Sequence, residues 1–312
     1  MSDFEPASDW THLHSASERN PFFGEVQHRL LTDGDRQVKV IIQPDTELGF
    51  ELSRAALAID GSKSMMQPFA AHLPPMLRKN KNMIHPTVQS LALYLADNAK
   101  GQVALAYWAC GDDGSDIEPV GIMTKDELNG HTFAGPSSWG GGTQMTPVAR
   151  YFWEQVFADA AGPGVAVIVT DGAWSDEDHQ ALEALTAEMC AAIEAGQRPL
   201  LKFVVVGLRL DSNSGDLDNI QSRFTSLDDF NTDTSVDVWD HKWLDEMADI
   251  SDIFVEMVQD WPLGVGGYVE AEGAKVLETD EFKFGIEFRI PASATGFTLH
   301  INDVGDYEQA LT

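Results

Sequence analysis

Short apolar runs alternate with longer amphipathic stretches through the middle of the chain. The apolar runs are RAALAID (54–60), QVALAYWA (102–109), GVAVIVTD (164–171) and LLKFVVVGL (200–208). They have the length of strands and are apolar on both faces, which is typical of strands buried in a parallel sheet. Helical spacing is found in the stretches between them, residues 87–99, 147–161 and 178–195. The pattern predicts an α/β fold with a doubly wound, mainly parallel sheet and right-handed helical crossovers.

The two ends of the chain follow a different pattern. Residues 1–23 are polar and have no sustained period, so we expect a flexible N-terminal arm. In residues 24–49, two apolar runs flank the turn sequence TDGDR, which predicts a β-hairpin. Residues 263–312 contain short alternating runs that are typical of antiparallel strands. We expect the hairpin and these strands to form a small antiparallel β module, appended to an α/β domain of residues 50–262.

The end of the α/β domain, residues 241–261, has apolar side chains at helical spacing. These are Trp243, Met247, Ile250, Phe254 and Val258. An apolar stripe with this period indicates an amphipathic helix whose stripe packs into the core. We therefore predict a final helix here, and no cofactor role for its aromatic and methionine side chains.

The charge of the chain is strongly negative. Its 312 residues include 50 acidic and 20 basic residues, so the formal net charge is −30. Such a surface repels phosphates, which argues against nucleic acid or anionic membranes as partners. Binding of a cation or of a basic partner fits the charge, and so does a simple role in solubility.

The expected location is the cytoplasm. The two cysteines, Cys110 and Cys190, support neither a disulfide framework nor a thiolate metal site. No apolar run approaches the roughly 20 residues that span a bilayer. The N-terminal sequence MSDFEPASDW is acidic where a signal peptide is basic and then apolar.

Polar side chains with oxygen atoms follow the ends of predicted strands. Asp60 ends the first strand of the α/β domain and is followed by Ser62 and Ser64, and Asp171 follows VAVIVT. Thr143 lies in the glycine-rich loop SSWGGGTQMTP between them. In an open parallel sheet, ligands gather at the carboxyl ends of the strands. Few carboxylates and several hydroxyls suit Mg²⁺, with Mn²⁺ or Ca²⁺ as alternatives.

These residues resemble a known motif. The loop DGSKS, Thr143 in WGGGTQ and Asp171 in VIVTDG are similar to the metal-ion-dependent adhesion site of von Willebrand factor type A domains, which have a Rossmann-like fold. The pattern is an Asp-x-Ser-x-Ser loop with a distant Thr and a distant Asp, and all five positions are filled. Further stretches, SDEDH, VVVGL, LDDFN and VDVWD, are similar to bacterial tellurium-resistance proteins of the TerF-like and TerY-like type.

The resemblance implies a function. Proteins of this type are regarded as cytoplasmic, metal-dependent protein-binding scaffolds of stress-response or defence systems, often encoded beside kinases, phosphatases or ATPases. It implies that Ser62, Ser64 and Thr143 bind the metal directly and that Asp60 and Asp171 bind it through water. The last ligand is then an Asp or Glu of a protein partner, and the chain is not an enzyme.

Three other interpretations remain open. In a purely structural one, Asp60 caps the following turn, the serines bond to the loop backbone, and Asp171 forms an Asp-Gly turn. In another, the chain is an assembly subunit that binds through its β module without metal. In the third, Asp60 is the nucleophile of an aspartyl-phosphate phosphotransferase. Enzymes of that kind need a second carboxylate two residues later, where this chain has Ser62.

Three side chains near the proposed ligands are candidates for a partner-binding rim. Trp139 and Gln144 lie on either side of Thr143's glycine-rich stretch, and Trp174 follows Asp171. An aromatic side chain beside a metal-anchored contact supplies the kind of desolvated area that dominates binding energy. The alternative is that the two tryptophans pack beneath the loops.

Overall fold

The structure is a computed structural model that describes residues 7–13, 18–43, 52–78, 81–210, 215–230, 232–247, 258–259 and 261–311. The chain divides into two compact units. One consists of Met1–Phe50 and Ser251–Thr312, and the other is Glu51–Ile250. Each unit is described by itself below.

The strands among the described residues are β1 (Thr11–His12), β2 (Phe23–Leu30), β3 (Asp35–Ile42), β4 (Arg54–Asp60), β5 (Gln102–Cys110), β6 (Asp116–Thr124), β7 (Gly164–Thr170), β8 (Leu201–Gly207), β9 (Trp239–Trp243), β10 (Gly267–Ala271), β11 (Ala274–Thr279), β12 (Gly285–Pro291), β13 (Gly296–Ile301) and β14 (Gly305–Ala310). The α-helices are α1 (Pro75–Arg78), α2 (Ile84–Asn98), α3 (Lys125–Gly130), α4 (Met145–Tyr151), α5 (Asp176–Glu194) and α6 (Leu217–Asp228). Short 3₁₀ turns cover Lys63–Met66 and Leu244–Glu246, and a π-helical turn, Phe152–Val156, continues α4.

The larger unit contains a six-stranded sheet with the order β6-β5-β4-β7-β8-β9. All neighbouring strands are parallel except β5 and β6. Numbered within the unit, the order is 3-2-1-4-5-6, which is that of a doubly wound fold. The predicted fold class is therefore confirmed. The strand order reverses between β4 and β7, since successive strands are added on one side of β4 and then on the other, so a crevice opens at the carboxyl ends of these two parallel strands.

Helices cover the sheet because its central strands are apolar on both sides. All residues of β7 and β8 are buried. Ala56 and Ala58 of β4 belong to a core cluster that includes apolar side chains of α4, α5 and α6. Helix α2 contacts β4 and β5. No helix among the described residues has the length and apolarity needed to cross a lipid bilayer.

The smaller unit contains two antiparallel sheets, ordered β1-β2-β3-β12 and β11-β10-β13-β14. Strand β12 pairs with β3 in a register that places Phe288 opposite Val38. The N-terminal hairpin and the C-terminal strands thus share a sheet, which confirms the appended β module.

The described part of the N-terminal segment is bonded to this unit, unlike the flexible arm that its polar sequence predicts. Strand β1 pairs with β2, and the Ala7 N–H donates to the Leu30 carbonyl at 2.9 Å. The Asn20 N–H donates to Gln309 Oε1 at 2.8 Å. The pairing partners are distant in sequence, so the local composition gives no sign of them.

The predicted helix over residues 241–261 is wrong at its start. Residues Trp239–Trp243 form β9, an edge strand parallel to β8, and a 3₁₀ turn follows. Trp239 stacks on Phe203 with ring centroids 4.6 Å apart, and Trp243 lies 5.1 Å from Phe224. These contacts hold both tryptophans in the core in an extended segment. Residues 248–257 lie outside the described part, and Val258 is buried.

Candidate metal centre

The candidate site lies at the carboxyl ends of β4 and β7, where the strand order of the sheet reverses. Asp60 is the last residue of β4, and Asp171 directly follows Thr170, the last residue of the neighbouring strand β7. The register pairs Ile59 with Val169, so the two strands end at the same level. The topology therefore brings both aspartates to one edge of the sheet, as expected for a site at this crevice.

Hydrogen bonds connect the first loop, which follows β4 and carries Ser62 and Ser64, with the third loop, which follows β7 and begins at Asp171. The Ser62 N–H donates to Asp60 Oδ1 at 2.7 Å, and the hydroxyl oxygens of Ser62 and Ser64 are 2.9 Å apart. Ser64 Oγ donates to Asp171 Oδ1 at 2.8 Å. The bond at Asp60 is the backbone role that the purely structural interpretation assigns to it. The Ser62 hydroxyl, however, does not cap the following 3₁₀ turn, and both serine hydroxyls point along the chain of oxygens that ends at Asp171.

The glycine-rich loop that carries Thr143 is joined to the first loop through the backbone. The Lys63 N–H donates to the Gly140 carbonyl at 2.9 Å, and the Gly140 N–H donates to the Gly61 carbonyl at 2.8 Å. Thr143 itself faces the third loop: a Cβ atom built on Gly172 would lie 3.5 Å from Thr143 Oγ1. All three loops thus meet at this edge of the sheet.

Both carboxylates are buried, with 0% of Asp60 and 2% of Asp171 exposed. Burial raises the pKa of Asp60, although hydrogen bonds from Ser62 and Thr170 act in the opposite direction. Burial, and secondly the charge of Asp60, raise the pKa of Asp171 to about 7. Ionising both groups costs free energy, and a bound cation would offset that cost.

The donor set fits a hard divalent cation. It consists of carboxylate and hydroxyl oxygens, which suit Mg²⁺, Mn²⁺ and Ca²⁺. Within the described ranges, no group of three or more His, Cys, Asp or Glu side chains is arranged to hold a metal. Any metal held here therefore relies on the hydroxyls of Ser62, Ser64 and Thr143 as well as on the two aspartates.

Thr170 is a member of the site that the sequence interpretation missed. Its hydroxyl donates to Asp60 Oδ2 at 2.6 Å, and it also accepts from the Gly172 N–H at 3.2 Å. Thr170 is completely buried. It fixes the Asp60 carboxylate and the turn after Asp171 at the same time. A polar residue at the end of an otherwise apolar strand, immediately before an aspartate, is the sequence feature that marks it.

Asp178 is a second residue that the sequence interpretation missed, and it positions the glycine-rich loop. It lies in the first turn of α5, where it accepts from the Met145 N–H at 2.6 Å and from the Thr146 N–H at 3.3 Å. The Thr146 hydroxyl donates back to the Asp178 carbonyl at 3.0 Å. The start of α4, just after Thr143, is thereby joined to the start of α5, just after the Asp171 loop.

The three candidate rim residues differ in their exposure. Trp174 is only 2% exposed: its ring stacks on Phe224, and its indole N–H donates to His179 Nδ1 at 3.3 Å. It is therefore a core residue, and its assignment to the rim is corrected. Trp139 is half-buried with its ring edge-on to Phe69 at 5.5 Å. Gln144 is also half-buried, and it lines an open cleft of about 800 Å³ next to Thr143.

We predict that Gly140→Ala destabilises the protein by about 1–3 kcal/mol, as overpacking does elsewhere. A Cβ atom on Gly140 would lie 1.7 Å from the Ala109 carbonyl oxygen, and the backbone there is held by the sheet. Urea unfolding measures the change. Gly130→Ala is the matched control, because nothing lies within 4 Å of a Cβ at that position. Equal urea midpoints for the two variants would contradict this account of the loop.

Comparisons with known proteins give similarity to solved structures alone. No family model matches the chain, and no curated protein sequence matches it. It is similar to the SpRpn10 VWA domain at 12% identity and a TM-score of 0.37, over 65% of this chain and 94% of that one. It is similar to an aerotolerance-related membrane protein from Bacteroides fragilis at 18% identity and a TM-score of 0.29, over 49% of this chain and 66% of that one.

A third similarity extends over nearly the whole chain. It is to the pilus adhesin SpaC from Lactobacillus rhamnosus GG, at 11% identity and a TM-score of 0.42, over 98% of this chain and 48% of that one. The chain thus spans about half the length of that adhesin. The assignment to a doubly wound α/β fold rests on the strand order of the larger sheet.

Proposed function

We propose that this protein is a metal-dependent protein-binding scaffold. Ser62, Ser64 and Thr143 would hold a Mg²⁺ ion, with Asp60 and Asp171 acting through water. Bound there, the ion supplies a Lewis-acidic contact for an Asp or Glu side chain of a protein partner. Mn²⁺ and Ca²⁺ share the preference for oxygen ligands and are the alternative ions.

The observation that carries the proposal is the convergence of three loops on two buried carboxylates. The Ser62 N–H donates to Asp60, and the hydroxyls of Ser62 and Ser64 continue from there to Asp171. The Thr143 hydroxyl flanks the turn after Asp171. Hydroxyl ligands donate less charge than carboxylates do, so an ion held mainly by them keeps its attraction for a further anion. A partner carboxylate is such an anion, and it would form a desolvated charge contact at this edge of the sheet.

The narrower role follows the resemblance stated for the sequence. We place the protein among TerF-like and TerY-like scaffolds of a bacterial stress-response or defence system, acting in the cytoplasm without catalysis. Its partners would then include a kinase, phosphatase or ATPase encoded nearby.

The phosphotransferase alternative is disfavoured, because Asp60 is buried and both its oxygens accept hydrogen bonds, from Ser62 and Thr170. An attacking carboxylate needs an accessible oxygen.

Mg²⁺ binding and cation-dependent capture test the proposal. We expect Mg²⁺ to raise the melting temperature of the wild-type protein, because it binds only the folded state. Ser62→Ala combined with Ser64→Ala should remove that increase in melting temperature. We also expect the wild-type protein to capture partners from host lysate, and we expect this capture to be lost both in excess chelator and in the double variant. Calorimetric titration with Mg²⁺ measures the binding directly.

The matched control is Ser115→Ala combined with Ser137→Ala. These serines also lie in loops at this end of the larger unit, but their hydroxyls bond to Asp113 and Glu118. We expect this control to bind Mg²⁺ as the wild type does. A wild-type protein that does not bind Mg²⁺, Mn²⁺ or Ca²⁺, or partner capture that persists in chelator, would refute the proposal and favour a metal-independent assembly role.

A further inference from the structure

An exposed apolar group of side chains follows the serine loop directly. Met76 is 87% exposed, Met83 68% and Leu77 55%. They lie on the segment between the 3₁₀ turn that contains Ser64 and helix α2. Three large apolar side chains at this exposure within eight residues of the chain are uncommon, and exposed apolar area of this kind marks an interaction site.

The segment that presents these side chains is held in place by hydrogen bonds. The Met83 N–H donates to the Pro68 carbonyl at 2.9 Å, which closes the segment at its base. The Arg78 guanidinium donates to the carbonyls of Leu73 and Ala71 at 2.7 and 2.9 Å. Asn82 donates to the Phe133 carbonyl at 2.7 Å. The apolar side chains therefore project from a bonded loop, which lowers the entropic cost of using them in binding.

Basic side chains accompany the apolar ones. Elsewhere in the larger unit, six basic residues pair with carboxylates: Arg54, Lys125, Arg150, Lys202, Arg209 and Arg223. Lys63 and Lys81 are exposed, and the described residues show no ion pair for either of them. Arg78 uses its guanidinium for backbone carbonyls. Backbone carbonyls do not neutralise the charge of Arg78. In a chain with a net charge of −30, Arg78 and Lys81 therefore carry positive charge that can attract a partner.

We propose that this apolar-basic surface, formed by Met76, Leu77, Arg78, Lys81 and Met83, binds an acidic amphipathic segment of a protein partner. The proposal rests on the proposed function, because it describes the surroundings of the carboxylate that reaches the metal. The apolar side of the segment contacts the methionines and Leu77, whose flexible side chains adapt to varied apolar surfaces. Its acidic side faces Lys81 and Arg78, which sets orientation and speeds association. Met83 lines the same small cleft as Val169, two residues before Asp171, so the surface lies at the edge of the sheet that carries the candidate metal site.

Three synthetic probes test the surface. The first is a helical peptide of Glu and Leu at amphipathic spacing, and the others have every Glu replaced by Gln or by Lys. Fluorescence anisotropy in Mg²⁺ should show binding of the Glu peptide, weaker binding of the Gln peptide and none of the Lys peptide. We expect Lys81→Glu and Met76→Ser each to weaken binding of the Glu peptide by about fivefold.

Two matched variants control for charge and for apolar area. Lys100→Glu reverses an exposed lysine at the opposite end of the sheet, and Ile122→Ser removes an exposed side chain, 62% accessible, from edge strand β6. Both should leave binding within about twofold of wild type. Tight binding of the Lys peptide, or equal effects of Lys81→Glu and Lys100→Glu, would overturn the proposal.

The outcomes also separate this surface from the metal site. Binding that responds to Lys81→Glu but not to chelator supports the surface and contradicts the metal role. Binding that chelator abolishes, but that neither Lys81→Glu nor Met76→Ser changes, overturns the surface and leaves the metal role intact. Binding of phosphatidylserine vesicles in place of the Glu peptide, or self-association that Lys81→Glu abolishes in sedimentation, would assign the surface to a membrane or to a second copy and overturn the proposal.

Discussion

Replacing Asp171 with asparagine is expected to stabilise the metal-free protein and to abolish its stabilisation by Mg²⁺. Asp171 is buried beside Asp60, and its pKa is raised to about 7, so its ionised form destabilises the fold near pH 8. Asparagine removes that charge and keeps the shape of the side chain. Because it also gives up a charge-assisted hydrogen bond from Ser64, we expect a net gain of about 1–3 kcal/mol in chelator. In Mg²⁺ the same change removes a carboxylate that attracts the ion.

The size of this effect depends on pH, which provides an internal check. Because the pKa of Asp171 is higher in the folded than in the unfolded protein, its carboxyl group is most favourable to folding at low pH, below the unfolded pKa near 4, where it is protonated. This contribution to stability is lost as the pH rises through the folded pKa of about 7. The stabilisation by Asp171→Asn should therefore be large at about pH 8 and small at about pH 5. Thermal melting in chelator and in Mg²⁺ at both values measures it.

The matched control for Asp171→Asn is Glu188→Gln. Glu188 is exposed on α5, so this change removes the same charge from a solvated position and should shift neither melting temperature. An Asp171→Asn protein that is less stable in chelator than wild type, or one that retains its full response to Mg²⁺, would contradict the electrostatic account of the site.

The sheet and the meeting of the two aspartates follow from the sequence for one physical reason. Strands that are apolar on both faces must be buried in a parallel sheet, and the carboxyl ends of parallel strands share an edge. Polar residues directly after such strands, here Asp60 and Asp171, are thereby placed together. That a metal binds there stays a prediction, and the loop contacts around Ser62, Ser64 and Thr143 are what support it.

Residues whose role depends on a distant partner were not predictable in this way. Trp243 sits at a helical spacing from later apolar residues, yet it belongs to β9 because its ring packs on Phe224. Trp174 lies close to Asp171 in sequence, but stacking on the same phenylalanine buries it. Asp178 acts on α4 through backbone bonds to Met145. Each outcome is decided by tertiary contacts that local pattern does not contain.

The buried ion pair of Lys202 leads to the second large prediction. Lys202 on β8 is 1% exposed, and its Nζ lies 2.7 Å from Asp237 Oδ2 and 3.2 Å from Asp240 Oδ2. Burial alone would lower the pKa of Lys202, but the charges of Asp240 and Asp237 outweigh it and raise that pKa. The lysine is therefore charged near neutral pH and joins β8 to the edge strand β9.

We expect Lys202→Ala to destabilise the protein by about 3–5 kcal/mol, because it removes the buried cation that pairs with Asp237 and Asp240. Urea unfolding measures the loss, with Lys100→Ala as the control at an exposed lysine, for which we expect a change within about 0.5 kcal/mol. Adding Asp240→Asn to Lys202→Ala should recover part of the stability, since it removes one of the two negative charges that Lys202 neutralises. Equal losses for Lys202→Ala and Lys100→Ala would mean that the edge strand is held by the stacking of Trp239 on Phe203 and not by the ion pair.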